Sequence, residues 1–526
     1  MNEDNKLSPE VKAIAIVVVI GAIMSILDTT IVNVALDTLS KDLHSPLATI
    51  QWVSTGYLLA LATVIPLTGW AAERFGPKRV WMTVVAGFVA TSALCGLAWS
   101  ADSLIAFRVL QGLAGGMIMP VGMITLAQAA GPRHMGRVMS VVGVPMLLAP
   151  VFGPVIGGLL IDNLSWRWIF FVNLPVGIVG LVLAARLLPS ERAAGEGGAR
   201  LDLAGLALLS PGIASIVYGL SEIASTGAVT GVKVWLPILV GSGLVIAFAR
   251  RSWFHDFPIV DVRLLRSTGF SASAATVMLV GAALFGGMLL LPLYYQIDRG
   301  LSPLQAGLLL APQGIGAAIA MRWSGRLTDR VGGGPVVVAG LLTLIVGTLP
   351  FTQVTGSTSY ALLAFALVVR GVGLGFTMMP AMASAYALLE TSQVPRATPM
   401  LNVLQRIGGS IGTAVLAVVL QRQIASAVPG AAGSGSGGGE AAAQSLPAGA
   451  RERLADPIAT AFGNTYWWSL FLVAAALVPA LIMWREQRRT RAREEFGPTT
   501  PDAVLRDEAA SAGAERAHVR APASVG

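Results

Sequence analysis

Asp28 is the residue of this sequence best suited to chemistry, because it is an acid within a long apolar run. The run covers residues 12–36 and is long enough to cross a membrane as a helix. An ionised side chain in the middle of a bilayer costs about 3 kcal/mol or more, so an acid retained there indicates a function. Carboxyl groups in apolar surroundings can bind and release protons near neutral pH. We therefore predict that Asp28 is a proton site; the alternative is that it is neutral or hydrogen-bonded and fixes helix packing.

Three polar residues share one side of this helix with Asp28. At about 100° per residue, all four fall within an arc of roughly 140°. Such an arc is expected to face a cavity and not lipid. The three residues are Ser25, Thr29 and Asn33. Thr29 and Asn33 are therefore candidates to line a substrate cavity.

Arg108 is the second charged residue of interest, a short way into the apolar run 103–128. Its guanidinium group stays charged, so Arg108 is not expected to carry the proton itself and needs an acid or backbone carbonyls nearby. Gln111 lies one helical turn further on and is another candidate for the cavity. A purely structural role for Arg108, as a clamp between helices, is the alternative.

Composition indicates which elements position these residues. Of 526 residues, 54% are hydrophobic and 12% are charged, and the mean hydropathy is +0.71. A soluble domain of this length needs a far more polar surface, so soluble classes are excluded and an all-α integral membrane protein is predicted. The single cysteine, Cys95, excludes an internal disulfide and a cysteine-built metal site. The net charge of +8 is concentrated in short loops, so we expect a lipid bilayer and no nucleic acid as partner.

Fourteen apolar runs are long enough to span a bilayer, at roughly 20 residues each. They are 12–36, 49–71, 79–99, 103–128, 137–161, 168–188, 203–222, 233–250, 270–296, 304–323, 335–354, 359–385, 400–424 and 463–484. Lys and Arg are concentrated in alternate loops, which are expected to be cytoplasmic. An even number of spans then places both termini in the cytoplasm.

The chain divides into segments by the same pattern. Two segments rich in small or polar residues are expected to be flexible: an outer loop at 425–459 and a disordered tail at 486–526. The predicted organisation is a cytoplasmic N-terminus at 1–11, a six-helix bundle at 12–188, a linker at 189–202, an inserted helix pair at 203–250, and a second six-helix bundle at 270–485.

An internal repeat supports two related bundles. GWAAERFG at 69–76 recurs as GRLTDRVG at 325–332, so Gly69, Glu73, Arg74 and Gly76 match Gly325, Asp329, Arg330 and Gly332. RVLQGLAGGMIMP at 108–120 resembles RGVGLGFTMMP at 370–380, which makes Arg370 the counterpart of Arg108 and a further cavity candidate. GPVIGG at 153–158 matches GGSIGT at 408–413 more loosely. Paired halves are typical of secondary transporters, whose substrate site lies between them near mid-membrane.

The run 137–161 contains a glycine and proline pattern that permits close helix packing. Gly153 and Gly157 have the GxxxG spacing, Gly158 follows, and Pro154 removes a backbone donor and favours a kink. A kinked, closely packed helix can seal one face of a bundle while the other opens.

Several of these motifs together resemble the major facilitator superfamily, in its 14-span drug:proton antiporter branch. They are LDTTIVNVAL at 27–36, GWAAERFGPKRV at 69–80, RVLQGLAGG at 108–116, GVPMLLAPVFGPVIGG at 143–158, WRWIFFVNLPVG at 166–177 and LQRIGGSIGTAV at 404–415. The resemblance implies a major facilitator fold with two six-helix bundles and two inserted helices. It also implies a monomer in a bacterial cytoplasmic membrane, with hydrophobic or cationic small molecules as substrates. The proton is the implied coupling ion, with no other cofactor.

The resemblance also implies roles for particular residues. Arg108 is linked to proton coupling, and the repeated loops with Glu73, Arg74, Asp329 and Arg330 are linked to gating. The span that carries Gly153 would form a barrier against proton leak in exporters. The chain departs from the family pattern in having Glu73 where Asp is usual, together with Pro77 and Asp37.

The function predicted from these features is proton-driven export of small molecules. Alternatives are an exporter dedicated to one native metabolite, antibiotic, lipid or siderophore, an uptake symporter, and a membrane sensor that transports nothing. An enzyme is not expected, because the sequence has no Walker loop, no HExxH and no evident nucleophile–base pair.

Overall fold

The computed structural model describes residues 7–131, 134–189, 200–227, 229, 231–427 and 448–496. Helices dominate these residues, and no β-strand occurs among them. The all-α prediction is therefore confirmed.

The described residues of the first half of the chain form eleven helices. They are α1 (Pro9–Asp42), α2 (Leu47–Ile50), α3 (Trp52–Val64), α4 (Leu67–Phe75), α5 (Pro77–Gly96), α6 (Ala101–Ala130), α7 (Met135–Asn163), α8 (Trp168–Phe171), α9 (Asn173–Leu187), α10 (Leu203–Thr226) and α11 (Val232–Phe254).

Eight more lie in the part of the second half that the structure describes. They are α12 (Thr268–Leu293), α13 (Pro303–Leu309), α14 (Ala311–Val331), α15 (Gly333–Thr348), α16 (Tyr360–Gly375), α17 (Met378–Ala387), α18 (Val394–Ala427) and α19 (Ala448–Phe496). Short 3-10 turns at Val262–Arg266 and Leu349–Gln353 and a π-helical turn at Tyr294–Asp298 join or extend them.

The helices account for the predicted membrane spans. Thirteen helical segments of the described chain are long and apolar enough to cross a membrane, some of them built from two consecutive helical elements. The predicted span at 137–161 is α7, a helix of 29 residues that begins with an apolar stretch. The structure is consistent with fourteen spans.

The last span starts earlier than the sequence pattern indicated. The helix α19 begins at Ala448, within the segment 425–459 that we expected to be a flexible loop, and α18 continues to Ala427. The intervening residues 428–447, and the tail from residue 497 onward, lie outside the described residues. Helix α19 continues to Phe496, so the first part of the expected tail is helical.

Helix contacts divide the spans into two bundles. In the first, α1 packs against α6, α7 and α9, while α6 packs against α3 and α5. In the second, α12 packs against α18 and α19, while α16 packs against α14 and α15. The bundles meet where α7 contacts α14 and where α4 contacts α18. The inserted helices α10 and α11 pack on each other, and α10 also touches α3 and α18, so it contacts both bundles.

Glycines let equivalent helices approach each other in both bundles. Gly153 of α7 packs against α1, where an added β-carbon would overlap Thr30. Gly408 of α18, its counterpart in the repeat, packs against α12, where an added β-carbon would overlap the carbonyl of Met278. A glycine at the helix interface therefore permits close packing in both the α1–α7 and the α12–α18 contacts.

Candidate functional site

Asp28 and Arg108 form a fully buried ion pair inside the first bundle. Asp28 Oδ2 lies 2.6 Å from Arg108 Nη1, and the two side chains are 0% and 1% exposed. Arg108 also donates from Nε to the carbonyl of Val53 at 3.1 Å, and its guanidinium lies 4.1 Å from the centre of the Tyr57 ring. The pair therefore joins α1, α3 and α6.

Two amides complete the surroundings of the Asp28 carboxylate. Gln111 Nε2 donates to Asp28 Oδ1 at 3.1 Å, and Asn173 Nδ2 donates to the same oxygen at 2.9 Å. Asn173, at the start of α9, also donates to Ser92 Oγ of α5 at 3.0 Å. The Asp28 carboxylate thus accepts from Arg108, Gln111 and Asn173, and these hydrogen bonds fix its position between α1, α6 and α9.

This arrangement can couple a proton to helix packing. A buried pair of charges is tolerable only while both charges remain compensated. If Asp28 takes up a proton, Arg108 loses its counter-charge and the contact between α1 and α6 weakens. Sequence reasoning predicted Asp28, Arg108 and Gln111 but missed Asn173. The only signal for Asn173 was its place in the WRWIFFVNLPVG motif.

The other two residues of the polar arc lie beside this cluster and not in it. Thr29 Oγ1 donates to the carbonyl of Ser25 at 3.0 Å, a bond within α1. Asn33 is exposed, and its Oδ1 accepts from Ser54 Oγ of α3 at 3.0 Å. Neither residue is hydrogen-bonded to Asp28.

Arg370 is buried in the second bundle without an acid. It is 3% exposed, and its Nε and Nη1 have no hydrogen-bond partner among the described residues. Gly287 of α12 lies against it, so closely that an added β-carbon would overlap Arg370 Nη2. The contact between α12 and α18 corresponds to the contact between α1 and α7. Helix α12, which carries Gly287, is therefore the counterpart of α1, which carries Asp28. The second bundle thus keeps the cation but has glycine on the facing helix.

Two ion pairs cross between the bundles at the end of the molecule where the described chain begins and finishes. Glu73 at the end of α4 accepts from Arg396 Nε of α18 at 3.2 Å. Asp329 at the end of α14 binds Arg137 Nε of α7 at 2.6 Å and accepts from the backbone N–H of Gly136 at 2.9 Å. We call these two contacts the inter-bundle ion pairs.

The inter-bundle ion pairs use arginines that sequence reasoning did not assign. Arg74 and Arg330, the basic residues of the repeated loops, are both exposed. The arginines in the pairs are Arg137 and Arg396, each the third residue of a helix that follows a short loop. A basic residue in the first turn of a helix interacts unfavourably with the helix dipole. The unusual position of these two arginines was therefore the feature of the sequence that could have indicated an acidic partner.

The glycines of the repeated loops have matching geometric tasks. Gly76 and Gly332 end their helices with φ of 85° and 89°, which side chains rarely adopt. Gly69 packs on the backbone of Pro395, and Gly325 packs on the backbone of Gly136, so each allows its helix to touch the opposite bundle.

The glycines of α7 differ from one another in their surroundings. Gly157 packs on Ile31 of α1, one residue beyond the contact of Gly153 with Thr30. Gly158 has open space around it, with no neighbour within 4 Å of an added β-carbon. The side chain of Pro154 lies outside the described set. A metal site is not apparent, since no cluster of three His, Cys, Asp or Glu residues occurs in the described part of the chain.

Comparisons with known proteins agree with this architecture. The sequence profile of the Major Facilitator Superfamily matches residues 18–413. A Mycobacterium tuberculosis protein named multidrug resistance protein B homolog is 40% identical over 90% of this chain and 90% of its own. The tetracenomycin C resistance and export protein of Streptomyces glaucescens is 32% identical over 78% of this chain and 76% of its own.

Solved structures show the same fold. The proton:xylose symporter XylE superposes with a TM-score of 0.59 over 90% of this chain and 95% of its own, at 12% identity. The family match, the relatives and the paired helical bundles lead to one conclusion: this chain is a multi-pass membrane transporter that belongs to the major facilitator superfamily, in its drug-efflux branch.

Proposed function

We propose that this protein is a proton-coupled exporter, a drug:proton antiporter, that moves hydrophobic small molecules out across a bacterial cytoplasmic membrane. The observation that carries the proposal is the buried Asp28–Arg108 pair, with its 2.6 Å contact. An intramembrane acid that is fully compensated by one cation is suited to exchange its counter-charge for a proton. The relative named as a multidrug resistance protein supports the direction of transport and the substrate type.

In this proposal both termini are cytoplasmic and the protein works as a monomer. The inter-bundle ion pairs then lie on the cytoplasmic side and hold it closed. With the cytoplasmic side closed in this way, the proton that starts the cycle reaches Asp28 from outside.

Protonation of Asp28 is transmitted through α1 and α7. Neutral Asp28 no longer compensates Arg108, so α1 shifts relative to α6. Thr30, two residues beyond Asp28, touches Gly153 of α7, and the same α7 carries Arg137 at its start. A shift of α1 therefore displaces α7 and weakens the Arg137–Asp329 ion pair, which favours opening toward the cytoplasm.

The test uses inverted membrane vesicles that contain the full chain and are energised by respiration. A panel of neutral, acidic and cationic compounds is added while the internal pH is followed by fluorescence. An exported compound should release protons from wild-type vesicles but not from Asp28→Asn vesicles. Asp37→Asn is the matched control, because Asp37 lies on the same helix but is 77% exposed.

Equal proton release by wild type and Asp28→Asn would remove Asp28 from the mechanism. A response to a single compound would favour an exporter dedicated to one substrate, a possibility that the Streptomyces relative named for tetracenomycin C resistance and export supports. If no compound releases protons, the exporter proposal fails.

A further inference from the structure

Arg406 is a mid-membrane cation on the face of α18 that looks toward the first bundle. It lies twelve residues after Val394, which places it about 18 Å along the helix and near the middle of a bilayer about 30 Å thick. Pro395 and Pro399 of the same helix contact Gly69 of the first bundle. Since Arg406 follows Pro399 by seven residues, it shares that face.

Arg406 has no partner of its own among the described residues. Its side chain is partly exposed, and it makes neither an ion pair nor a hydrogen bond with any described group. An uncompensated guanidinium in the membrane interior is costly. Arg108 shows the contrast, because Asp28, Gln111 and the carbonyl of Val53 all accept from or surround it.

Tyr57 links Arg406 to the proton site. Arg406 of α18 and Tyr57 of α3 lie within electrostatic range of each other across the bundle interface. The Tyr57 hydroxyl is buried, beside Ser25 and Thr29 of α1. The face of the same ring lies 4.1 Å from the guanidinium of Arg108. Tyr57 therefore stands between an unpaired cation on one bundle and the Asp28–Arg108 pair on the other.

The buried arginines of the two bundles are not all matched by acids among the described residues. Asp28 is occupied by Arg108, and Arg370 of the second bundle is a further buried cation without an acid in the described chain. A cationic substrate would meet like charge here, whereas an anionic oxygen would find an unused donor.

We propose that Arg406 binds the anionic group of the transported molecule, so that the substrates are apolar molecules carrying a carboxylate or phenolate. The proposal rests on the exporter function proposed above and specifies its substrate class. Tyr57 is the positioning residue. It lies between Arg406, which holds the anion, and Arg108, which binds Asp28.

The test measures binding to the purified full-length protein in lipid nanodiscs by titration calorimetry, with empty nanodiscs as the blank for partitioning. Three probes share one apolar ring: 2-naphthoate, its methyl ester and 2-naphthyltrimethylammonium. Wild type should bind 2-naphthoate on the order of tenfold or more tighter than the other two, as a charge-assisted hydrogen bond predicts. Arg406→Met should lose this preference, and Arg406→Lys should keep part of it.

Arg422→Gln is the matched control, because Arg422 lies on the same helix but is exposed. It should bind all three probes as wild type does. Tyr57→Phe keeps the ring on Arg108 and removes only the hydroxyl, so it should weaken naphthoate binding while leaving the ester unaffected.

The proposal is overturned if wild type binds the ammonium probe as tightly as the acid, or if Arg406→Met keeps full affinity for 2-naphthoate. Size-exclusion chromatography would reveal a variant that fails to fold. In that case the comparison of the three probes on wild type still tests the proposal. Asp28-dependent proton release by other compounds, without an acid preference, would overturn the anion site and leave the exporter function standing. Acid-selective binding that needs Arg406, without any proton release, would support the anion site and overturn the exporter function.

Discussion

Glu73 and Asp329 occupy equivalent positions in the two bundles and make equivalent contacts, each binding an arginine at the start of a helix of the opposite bundle. Glu73 binds Arg396 of α18, and Asp329 binds Arg137 of α7. The internal repeat thus produces a pair of symmetric contacts that close one end of the molecule. Symmetry does not make them equal in strength, because their burial differs.

The Asp329–Arg137 pair should contribute more to closure than the Glu73–Arg396 pair. Asp329 is 7% exposed and Glu73 is 19% exposed, and breaking a buried pair leaves an uncompensated charge. We expect Asp329→Asn to populate the state open at this end more than Glu73→Gln does. The measurement is the distance distribution between spin labels at positions 79 and 326, both exposed arginines of opposite bundles, in a Cys95→Ala background.

Charge reversal provides the control for this prediction. Glu73→Arg alone should open the same end, and Glu73→Arg combined with Arg396→Glu should restore the wild-type distribution. An unchanged distribution in Asp329→Asn would show that the pair does not hold the bundles together.

An acid in place of Asn173 should change the pH dependence of transport. Asn173→Asp would place a second carboxyl group where an amide now donates to Asp28 at 2.9 Å. Two carboxylates this close retain a shared proton at a pH where one alone would release it. The pH midpoint of substrate-driven proton release should therefore rise. Asn173→Ala removes the donor without adding charge, and it should weaken transport without that rise; equal profiles for both variants would refute the interpretation.

Much of the fold followed from the sequence because its signals are local. Apolar runs of sufficient length predicted the spans, and the repeated GWAAERFG and GRLTDRVG motifs predicted two related bundles. The candidate proton site could also be predicted, since a carboxylate such as Asp28 is conspicuous in an apolar run. Contacts between distant elements could not be predicted. Arg396 lies more than three hundred residues from Glu73, and no local pattern shows which helix faces meet across the bundle interface.

Asn173 was missed for a different physical reason. A neutral amide costs far less than a charge in a membrane helix, so its presence carries little information until its partners are known. Its importance appears only when α9 brings it to Asp28 and Ser92.

We expect Arg370 to form a stabilising ion pair with an acid introduced on the facing helix, α12. Gly287→Asp would put a carboxylate beside a guanidinium whose Nε and Nη1 have no hydrogen-bond partner among the described residues, and the three atoms nearest an added β-carbon all belong to the end of the Arg370 side chain. We expect Gly287→Asp to unfold at a higher temperature than Gly287→Asn, which has nearly the same shape without the charge. The measurement is thermal unfolding of the purified protein followed by tryptophan fluorescence. Equal unfolding temperatures would indicate that Arg370 is already compensated.

The contact between α7 and α1 should be needed both for stability and for a tight proton barrier. Gly153→Ala would force a β-carbon into Thr30, two residues from Asp28, whereas Gly158→Ala would point into open space. Overpacking of a close contact typically costs about 1–3 kcal/mol, so Gly153→Ala should lower the unfolding temperature and Gly158→Ala should leave it nearly unchanged. In proteoliposomes with an imposed pH gradient, Gly153→Ala should also increase proton leak in the absence of substrate, because α7 is displaced from the helix that carries the acid. If the two variants leak equally, close packing at Gly153 is not what seals the bundle, and the barrier must depend on another part of α7.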